Sequence, residues 1–241
     1  MKQVAKDRTL IFAHRGAKRA APENTLPAFE AAVRLKADGV EFDVQYSSDG
    51  QLVIFHDFSL ENTSNGTGRV SAHTLAELRE LDAGLHFGPE FAGTRIPTLD
   101  EVLDLLKDKL LVNIELKSVR ASDDGLGQDV AKKVLSHGMA DQVVISSFNP
   151  FALRRSRLTG PQIEHALLLA VDSPGWMKSG LLFRWSKAGA LHPESAMVTE
   201  EYMAQARRRG LPVRVWTVNE PEEMRRLADL GVDAIVTDVP D

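Results

Sequence analysis

Cysteine is absent from the 241-residue sequence, so the protein has no disulfide bond, no thiolate metal site and no cysteine nucleophile. A dominant basic charge is also missing. The 29 Lys and Arg residues are outnumbered by 34 Asp and Glu residues, which gives a formal net charge of −5. This balance makes non-specific binding to nucleic acid or to an anionic membrane a poor expectation.

The sequence also has no long hydrophobic run. The apolar stretch at residues 10–13 is soon cut off by Arg15, far short of the core of a signal peptide. The longest run elsewhere, residues 166–171, could not span a bilayer. We therefore expect a cytoplasmic protein without stable membrane insertion, although a secreted protein that had lost its signal would look the same.

The pattern that is present is that of a folded α/β protein, with 43% hydrophobic and 26% charged residues. Short runs rich in Val and Ile alternate with segments of helical period, which is typical of βα units around a parallel sheet. The predicted strands are residues 9–14, 39–45, 109–117, 142–148, 164–171, 189–192, 212–218 and 233–237. The predicted helices are residues 26–36, 99–107, 126–137, 150–158, 200–209 and 222–230.

Eight strands with helical crossovers in this length match a TIM (β/α)₈ barrel, with residues 1–241 as a single catalytic domain. A doubly wound open sheet is the competing fold, but no Gly-rich phosphate loop follows any predicted strand. The sequence stops at Asp241, so the eighth helix is expected to be short or missing.

One block departs from the alternation of strands and helices. The segment Ser47-Ser48-Asp49-Gly50 is a tight-turn signal after the second strand, and it predicts a hairpin with residues 52–55. Residues 57–97 are rich in loop signals, with one short helical piece near 75–81. We expect them to form a small inserted subdomain on the rim of the barrel.

Side chains of a barrel strand alternate between the interior and the outer helices, and catalytic residues lie at the C-terminal strand ends. This alternation turns Glu41, Asp43, Glu115 and Lys117 inward. Three carboxylates that converge in a partly buried space cannot all stay ionised without a cation, and one Mg²⁺ or Ca²⁺ ion resolves the conflict. The alternative is a buried network in which Glu41 or Glu115 pairs with Lys117 or Arg214.

Two histidines are placed to meet over the same mouth, because His14 ends the first strand and His56 ends the hairpin strand. A histidine pair beside a metal ion and Arg15 suits phosphoryl chemistry, with one base, one acid and cations for the phosphate oxygens. His192 is expected at the catalytic rim without a second signal. The remaining histidines are expected to be structural or solvated: His73, His86, His137 and His165.

Short motifs follow one another in a fixed order from about residue 11 to residue 240. They are His14-Arg15-Gly16, Pro22-Glu23-Asn24-Thr25, Glu41-x-Asp43, Asp49-Gly50-x-x-Val53-x-x-His56-Asp57, Ile96-Pro97-Thr98-Leu99, Asn113-x-Glu115-x-Lys117, Ser147-Phe148, Trp216-Thr217-Val218-Asn219 and Thr237-Asp238. No single motif is specific, but the ordered set resembles the glycerophosphodiester phosphodiesterase family.

The resemblance implies a TIM barrel with a small insertion, which hydrolyses glycerophosphodiesters to sn-glycerol 3-phosphate and an alcohol. The roles that it implies are an acid/base pair of His14 and His56, a divalent-ion site of Glu41, Asp43 and Glu115, and phosphate binding by Arg15 and Lys117. Family likeness alone favours His14 as the base and His56 as the acid.

The attacking group stays open between two mechanisms. In one, the glycerol 2-hydroxyl of the substrate attacks and a cyclic phosphate forms, which water then opens. In the other, water attacks directly. Weaker expectations concern the walls of the site: Phe148 and Trp216 are expected to form an apolar surface for the glycerol or the leaving group. Asn24 could touch the site, although Asn24 and Thr25 also suit the cap of the following helix.

Two other functions stay open from the sequence. A lysophospholipase D-like phosphodiesterase would need a sizeable apolar entry surface. A barrel that binds glycerophosphodiesters without turnover is disfavoured by the presence of both His14 and His56. The preferred head group, the choice between Mg²⁺ and Ca²⁺, and the oligomeric state cannot be read from the sequence.

Overall fold

The computed structural model describes residues 8–118, 124–175 and 180–241. These residues contain one nine-stranded sheet. The strands are β1 (Leu10–His14), β2 (Gly39–Tyr46), β3 (Leu52–Ile54), β4 (Leu111–Leu116), β5 (Val143–Ser147), β6 (Glu164–Leu169), β7 (Ala190–Pro193), β8 (Arg214–Val215) and β9 (Ala234–Thr237). The α-helices are α1 (Leu26–Arg34), α2 (Leu75–Arg79), α3 (Leu99–Leu106), α4 (Leu126–Ser136), α5 (Pro150–Thr159), α6 (Gly180–Ser186), α7 (Glu200–Arg208) and α8 (Pro221–Asp229).

The sheet curls into a nearly closed barrel. Its strand order is β7-β6-β5-β4-β2-β1-β9-β8, and every pairing along this path is parallel. The two ends of the path meet through parallel bridges between Leu191 and Val213 and between Glu194 and Trp216. Eight parallel strands wrapped by helices confirm the predicted TIM (β/α)₈ fold.

Alternation along the strands separates two environments. The outward side chains Val40, Phe42 and Val44 of β2 are completely buried in the main hydrophobic core, beneath α1 and α3. The inward positions on β1 before His14, and those on β9, are apolar, and Leu10 and Phe12 pack there inside the barrel. The inward positions toward the C-terminal ends of β2 and β4 carry acidic side chains instead, so the polar site lies at that end.

Helix boundaries follow local sequence signals. Helix α3 begins at a capping box formed by Thr98 and Glu101, and α5 and α8 each have proline in the first turn. Gly138 follows α4 in the left-handed conformation, with φ of 71°. The sequence pattern missed α6, because seven residues are too few to show a clear helical period. Among the described residues no helix follows β9.

The hairpin forms as the turn signal predicts. Strand β3 pairs antiparallel with β2, with Val44 opposite Ile54 and Tyr46 opposite Leu52. The chain then leaves the sheet, and it forms α2 and two short 3₁₀ turns before α3 begins. This stretch has a hydrophobic cluster of its own, made of Val53, Phe55, Leu60, Val70, Leu78, Ala83 and Ile96. No described helix has the length and apolar character needed to cross a membrane.

Candidate active site

The connection between β1 and α1 turns sharply over the C-terminal ends of the strands. Arg15 and Gly16 have φ values of 55° and 80°, in the left-handed region. A Cβ atom on Gly16 would lie 2.7 Å from the Cβ of Ala28, so both conformation and packing require glycine there. The turn leaves Arg15 beside the acidic end of β2, where its backbone N–H donates to Glu41 Oε2 at 3.2 Å.

Three carboxylates meet at the ends of β2 and β4. Asp43 and Glu115 are register partners on neighbouring strands, and Glu41 lies one pleat below Asp43. Each of the three offers an oxygen, and these oxygens lie within 4.8 Å of one another. Glu41 and Asp43 are buried, and the Glu115 side chain is 14% exposed. The spacing is close enough for one ion to contact all three.

This crowding changes the protonation of the cluster. Burial, together with the charges of Asp43 and Glu115, raises the pKa of Glu41 well above its ordinary value. Burial and Asp43 raise the pKa of Glu115 to about 7. Burial acts in the same direction on Asp43, but the charges of Lys117 and His56 outweigh it and lower the pKa of Asp43. The cluster therefore favours a proton or a cation over three negative charges.

Two cationic side chains lie against the cluster. Lys117 Nζ is 3.1 Å from Glu115 Oε1 and 3.6 Å from Asp43 Oδ1. Arg15 donates through Nη1 to Glu23 Oε1 at 2.8 Å, and its Nε is 3.6 Å from Asp43 Oδ2. The ion-pair alternative considered from the sequence is thus present for Lys117.

The donor set fits a divalent cation. Asp43 Oδ1 is buried and accepts no hydrogen bond from any described residue. The other oxygen of Asp43 accepts a hydrogen bond from Asn24 Nδ2 at 3.0 Å, which fixes the carboxylate. A buried carboxylate oxygen without a donor is costly unless a cation satisfies it, and oxygen-only ligands suit Mg²⁺ or Ca²⁺. Glu41 and Glu115 supply the further oxygens.

His14 stands over this cluster at the end of β1. Its Nδ1 is 2.6 Å from Asp238 Oδ1, and its Nε2 is 3.9 Å from Glu41 Oε2. Burial lowers the pKa of His14 despite the hydrogen bond to Asp238, and the charges of Arg15 and Lys18 act in the same direction as burial. A neutral imidazole whose Nε2 faces the cluster is suited to accept a proton.

His56 lies on the hairpin side of the same carboxylate cluster, where its charge acts on Asp43. The preceding residue, Phe55, donates its backbone N–H to the Asp43 carbonyl at 3.1 Å, which holds this part of the chain against β2. His56 Nδ1 is 2.7 Å from Asp57 Oδ1, and Asp57 Oδ2 accepts a hydrogen bond from Asn62 Nδ2 at 2.7 Å. The structure therefore brings both imidazoles to one end of the barrel, each with a carboxylate on Nδ1.

Comparison with known proteins identifies the family. The model of the glycerophosphoryl diester phosphodiesterase family matches residues 14–241. The chain belongs to this family. The resemblance inferred from the order of the sequence motifs is thereby confirmed.

Several known phosphodiesterases are similar to this chain over nearly its whole length. It is 40% identical over 240 residues to a glycerophosphodiester phosphodiesterase of Caldanaerobacter subterraneus subsp. tengcongensis, covering 97% of this chain and 96% of that protein. The structure of a glycerophosphodiester phosphodiesterase from Agrobacterium tumefaciens str. C58 is 33% identical with a TM-score of 0.83, covering 97% of both chains. An Oleispira antarctica phosphodiesterase, solved in complex with the product sn-glycerol-3-phosphate, is 30% identical with a TM-score of 0.83, covering 97% and 94%.

The expectation that Asn24 and Thr25 cap helix α1 is wrong. Thr25 occupies the N-cap position of α1, but its hydroxyl donates to the Pro22 carbonyl and no side chain caps the helix. Asn24 does not cap the helix either, because its amide is drawn to the Asp43 carboxylate. Asn24 is completely enclosed by these contacts, so it orients a cluster carboxylate.

Phe148 and Trp216 form an aromatic pair just beyond β5 and β8. Their rings meet edge to face with centroids 5.5 Å apart, and both side chains are half-buried. Trp216 Nε1 donates to the His192 carbonyl at 2.8 Å, which fixes the indole. The pair thus provides a rigid apolar surface at the end of the barrel that carries the carboxylates.

The expectation that His192 lies at the catalytic rim is wrong. His192 is buried inside the barrel, where its Nε2 is 3.3 Å from Arg214 Nη1. Arg214 in turn pairs with Glu164 at 2.7 Å, so it is not a partner of the acidic cluster. Burial lowers the pKa of His192 well below its ordinary value. The prediction that the His192 side chain points inward is correct, but this side chain lies below the rim of the barrel.

Four side chains of the site were given no role from the sequence. Asp57 and Asp238 occur in the family motifs, while Lys18 and Asn62 were not considered. The contacts of Lys18 and Asn62 depend on how the loops fold, for which no periodic signal exists. A signal was available for Asp238. It shares the inward direction of Val236 and lies just beyond β9, the neighbour of β1.

Proposed function

We propose that this chain hydrolyses glycerophosphodiesters to sn-glycerol 3-phosphate and an alcohol, using a divalent cation and a pair of histidines. The family to which it belongs makes it a phosphoric diester hydrolase. The observation that carries the finer proposal is the meeting of three carboxylate oxygens, within 4.8 Å of one another, with two imidazoles at the same end of the barrel. The named activity of the relatives and the product bound to the Oleispira antarctica phosphodiesterase support the substrate class.

Glu41, Asp43 and Glu115 are the residues that would hold the cation, Mg²⁺ or Ca²⁺. Such an ion, when bound, offsets the negative charge that grows on the non-bridging phosphate oxygens. Arg15 and Lys117 supply fixed positive charge to the same phosphate. Burial alone would lower the pKa of Lys117, but Glu115 and Asp43 outweigh it and raise that pKa, so the ammonium stays charged.

His14 acts as the general base and His56 as the general acid in this proposal. His14 is neutral before reaction because burial lowers its pKa, and its Nε2 faces the cluster. It takes the proton of the attacking hydroxyl, while His56 protonates the departing alkoxide, which is too basic to leave unaided. The attacker is the glycerol 2-hydroxyl, so a cyclic glycerol phosphate should appear in a single turnover. Its absence would favour direct attack by water.

The chain acts as one catalytic domain of residues 1–241, and the inserted residues 57–97 shape the choice of head group. Asp57 and Asn62 support this role, because they connect the insertion to the His56 imidazole. The lysophospholipase D-like alternative gains limited support, since Leu60 and Leu78 are buried in the insertion's own hydrophobic cluster and its exposed large apolar side chains are Leu85 and Phe87. A cytoplasmic site of action stays a prediction that cell fractionation would test.

The experiment is the release of glycerol 3-phosphate from glycerophosphocholine, with and without EDTA. We expect EDTA to abolish release and added Mg²⁺ or Ca²⁺ to restore it. Glu41→Gln should be inactive with either ion, whereas Glu90→Gln, an exposed acidic residue of the insertion, should match the unaltered protein.

Three results would contradict the proposal. Full turnover in EDTA would show that the reaction needs no divalent cation. Tight binding without turnover at any metal concentration would favour the non-catalytic barrel. Faster turnover of lysophosphatidylcholine than of glycerophosphocholine would favour the lysophospholipase D-like activity.

A further inference from the structure

Asp238 is held by contacts on both of its carboxylate oxygens. It lies immediately after β9, and its Oδ1 is 2.6 Å from His14 Nδ1. Lys18 Nζ lies 2.9 Å from the same oxygen. Asn219 Nδ2 donates to the other oxygen of Asp238 at 2.9 Å. Both oxygens are therefore engaged, and the side chain is only 14% exposed.

The backbone of Asp238 is fixed as well as its side chain. The N–H of Asp238 donates to Asn219 Oδ1 at 2.9 Å, and Thr237 Oγ1 donates to the same atom at 3.2 Å. Asn219 lies in the connection between β8 and α8, so two neighbouring strand ends clamp the carboxylate. Side chains held in this way lose little entropy when they orient a partner.

An ionised carboxylate can only accept hydrogen bonds, so its short contact requires that His14 carry a proton on Nδ1. The other ring nitrogen, Nε2, then presents its lone pair on the side of Glu41, 3.9 Å away. Burial disfavours the charge on Asp238, but hydrogen bonds from His14 and Lys18 outweigh it and hold the pKa of Asp238 well below its usual range. The acceptor thus stays ionised across the pH range in which the enzyme would work.

A second aspartate at the other end of β9 gives a useful contrast. Asp233 accepts a hydrogen bond from the backbone N–H of Val213 at 2.8 Å and has no described contact with a histidine. It serves the turn into the strand at the end of the barrel away from the carboxylate cluster. Replacement of Asp233 therefore reports the general cost of losing an aspartate beside β9, whereas replacement of Asp238 reports the loss of the contact with His14 as well.

We propose that Asp238 is a positioning residue that fixes the Nδ1–H tautomer and the ring orientation of His14, so that Nε2 is held ready to accept the proton of the attacking hydroxyl. The carboxylate touches neither substrate nor the reacting atoms, and it takes up no proton itself. Lys18 and Asn219 in turn hold Asp238. This inference rests on the proposed function, because it acts only through His14 as the base.

The kinetic test compares Asp238→Ala, Asp233→Ala, His14→Ala and the double variant His14→Ala/Asp238→Ala. We expect Asp238→Ala to lower kcat on the order of 100-fold or more, as loss of an imidazole-orienting carboxylate does elsewhere, with KM changed by a few-fold at most. Asp233→Ala should lose stability but keep its kcat. The double variant should be no slower than His14→Ala, because Asp238 has no effect once its imidazole is gone.

A spectroscopic measurement reports the tautomer of His14 directly in the unaltered protein. In ¹⁵N-histidine-labelled protein near pH 7.5, the His14 signals, assigned by their loss in His14→Asn, should show protonated Nδ1 and unprotonated Nε2. In Asp238→Ala the signals should shift toward a mixture of tautomers.

Several outcomes would overturn the inference. These are a kcat of Asp238→Ala within threefold of the unaltered protein, a further loss in the double variant, or an Nε2–H tautomer in the unaltered protein. Failure of the proposed function looks different: His14→Ala itself would stay active. An inactive His14→Ala beside a fully active Asp238→Ala removes only the role of Asp238.

Discussion

At the scale of single residues, the site is organised by where each charge can be tolerated. Asp43 is the most firmly ionised of the three carboxylates, because Lys117 and His56 outweigh the effect of burial on its pKa. Glu115, with a pKa raised to about 7 by burial and Asp43, changes its charge near neutral pH. An acidic cluster with such unequal members binds a cation readily, since neutralisation by the ion removes the repulsion.

Replacement of His56 should remove the acid without disturbing the fold. We expect His56→Ala to lower kcat on the order of 10²–10⁴-fold, the usual size of a lost general acid. The loss should shrink for substrates whose leaving group is a weak base, such as a nitrophenolate, because that group departs without a proton. His86→Ala is the matched control, since His86 is exposed on the same insertion. Equal losses with both leaving groups would contradict the assignment.

Alternation along the strands was sufficient to predict Glu41, Asp43 and Glu115 as neighbours, because a pleat leaves each side chain only two directions. It could not predict the partners of the imidazoles. Asp57 and Asp238 follow strands rather than lie in them, where no period operates. His192 shows the complementary failure, since alternation gives the direction of a side chain but not its height in the barrel. Hence the carboxylate cluster was predictable and the contacts of the imidazoles were not.

At the scale of elements, the β1–α1 turn links backbone conformation to charge placement. We expect Gly16→Ala to cost about 2–4 kcal/mol of stability, because a side chain there is both strained and 2.7 Å from Ala28 Cβ. Relief of that contact would move Arg15, so kcat should also fall at least tenfold. Urea unfolding and steady-state kinetics measure the two effects.

Gly50→Ala is the matched control for this substitution. Gly50 has a similar φ of 77°, but no atom lies within 4 Å of a Cβ placed on it. It should therefore lose only about 1 kcal/mol, the cost of the left-handed conformation alone, with kcat unchanged. Equal losses in the two variants would mean that crowding against α1 has no part in the effect.

The contact between α5 and β6 predicts an acid-sensitive part of the fold. Burial lowers the pKa of His165 to about 4, while its Nε2 lies 2.8 Å from Ser156 Oγ. Between about pH 6.5 and pH 4 the unfolded chain binds the proton and the folded chain does not. Stability therefore falls as pH decreases through this window, by about 3 kcal/mol from this group.

His165→Gln removes the titrating group and keeps an acceptor for Ser156. We expect the pH dependence of its unfolding free energy, measured in urea from pH 7 to pH 4, to be flatter by about that amount. His86→Gln, at an exposed position of the insertion, is the control for the substitution itself. A slope in His165→Gln equal to that of the unaltered protein would show that folding does not change the pKa of His165.

Most elements were predictable because buried strands and amphipathic helices repeat with clear periods. The exceptions have physical causes. Strand β8 is only Arg214–Val215, although residues 212–218 are apolar enough for a longer strand. The flanking residues Pro212 and Trp216 bond to β7 and the residues just after it through separate contacts rather than in a continuous ladder. The sequence pattern indicates only that these residues are buried. A continuous strand and a short strand with separate flanking contacts are both buried, so the pattern could not distinguish them.

At the scale of the whole molecule, the barrel closes through a weak seam. Strands β2 and β4 pair continuously from Gly39 to Val44, whereas β7 and β8 are joined by isolated bridges. The amide of Leu191 donates to Pro212 at 2.9 Å, and that of Trp216 donates to Pro193 at 3.3 Å. Few bonds must break for this seam to open.

Hydrogen exchange should reveal this difference in strength. We expect the amides of Leu191 and Trp216 to exchange on the order of 10–100 times faster than those of Phe42 and Ile114 in the β2–β4 ladder. The control is the pairing of β1 with β9, which is a continuous ladder. Uniform protection around the barrel would show that it opens only as a unit.

The pairing of Val44 with Ile54 fixes the face to which the next strand turns its side chains. One residue gained or lost between Tyr46 and Leu52 would invert that face and turn the His56 imidazole away from the carboxylate cluster. Past Asp57 the chain has left the sheet, and no such counting applies. The segment after Asp57 can therefore change in length without moving His56, whereas the turn before Leu52 cannot.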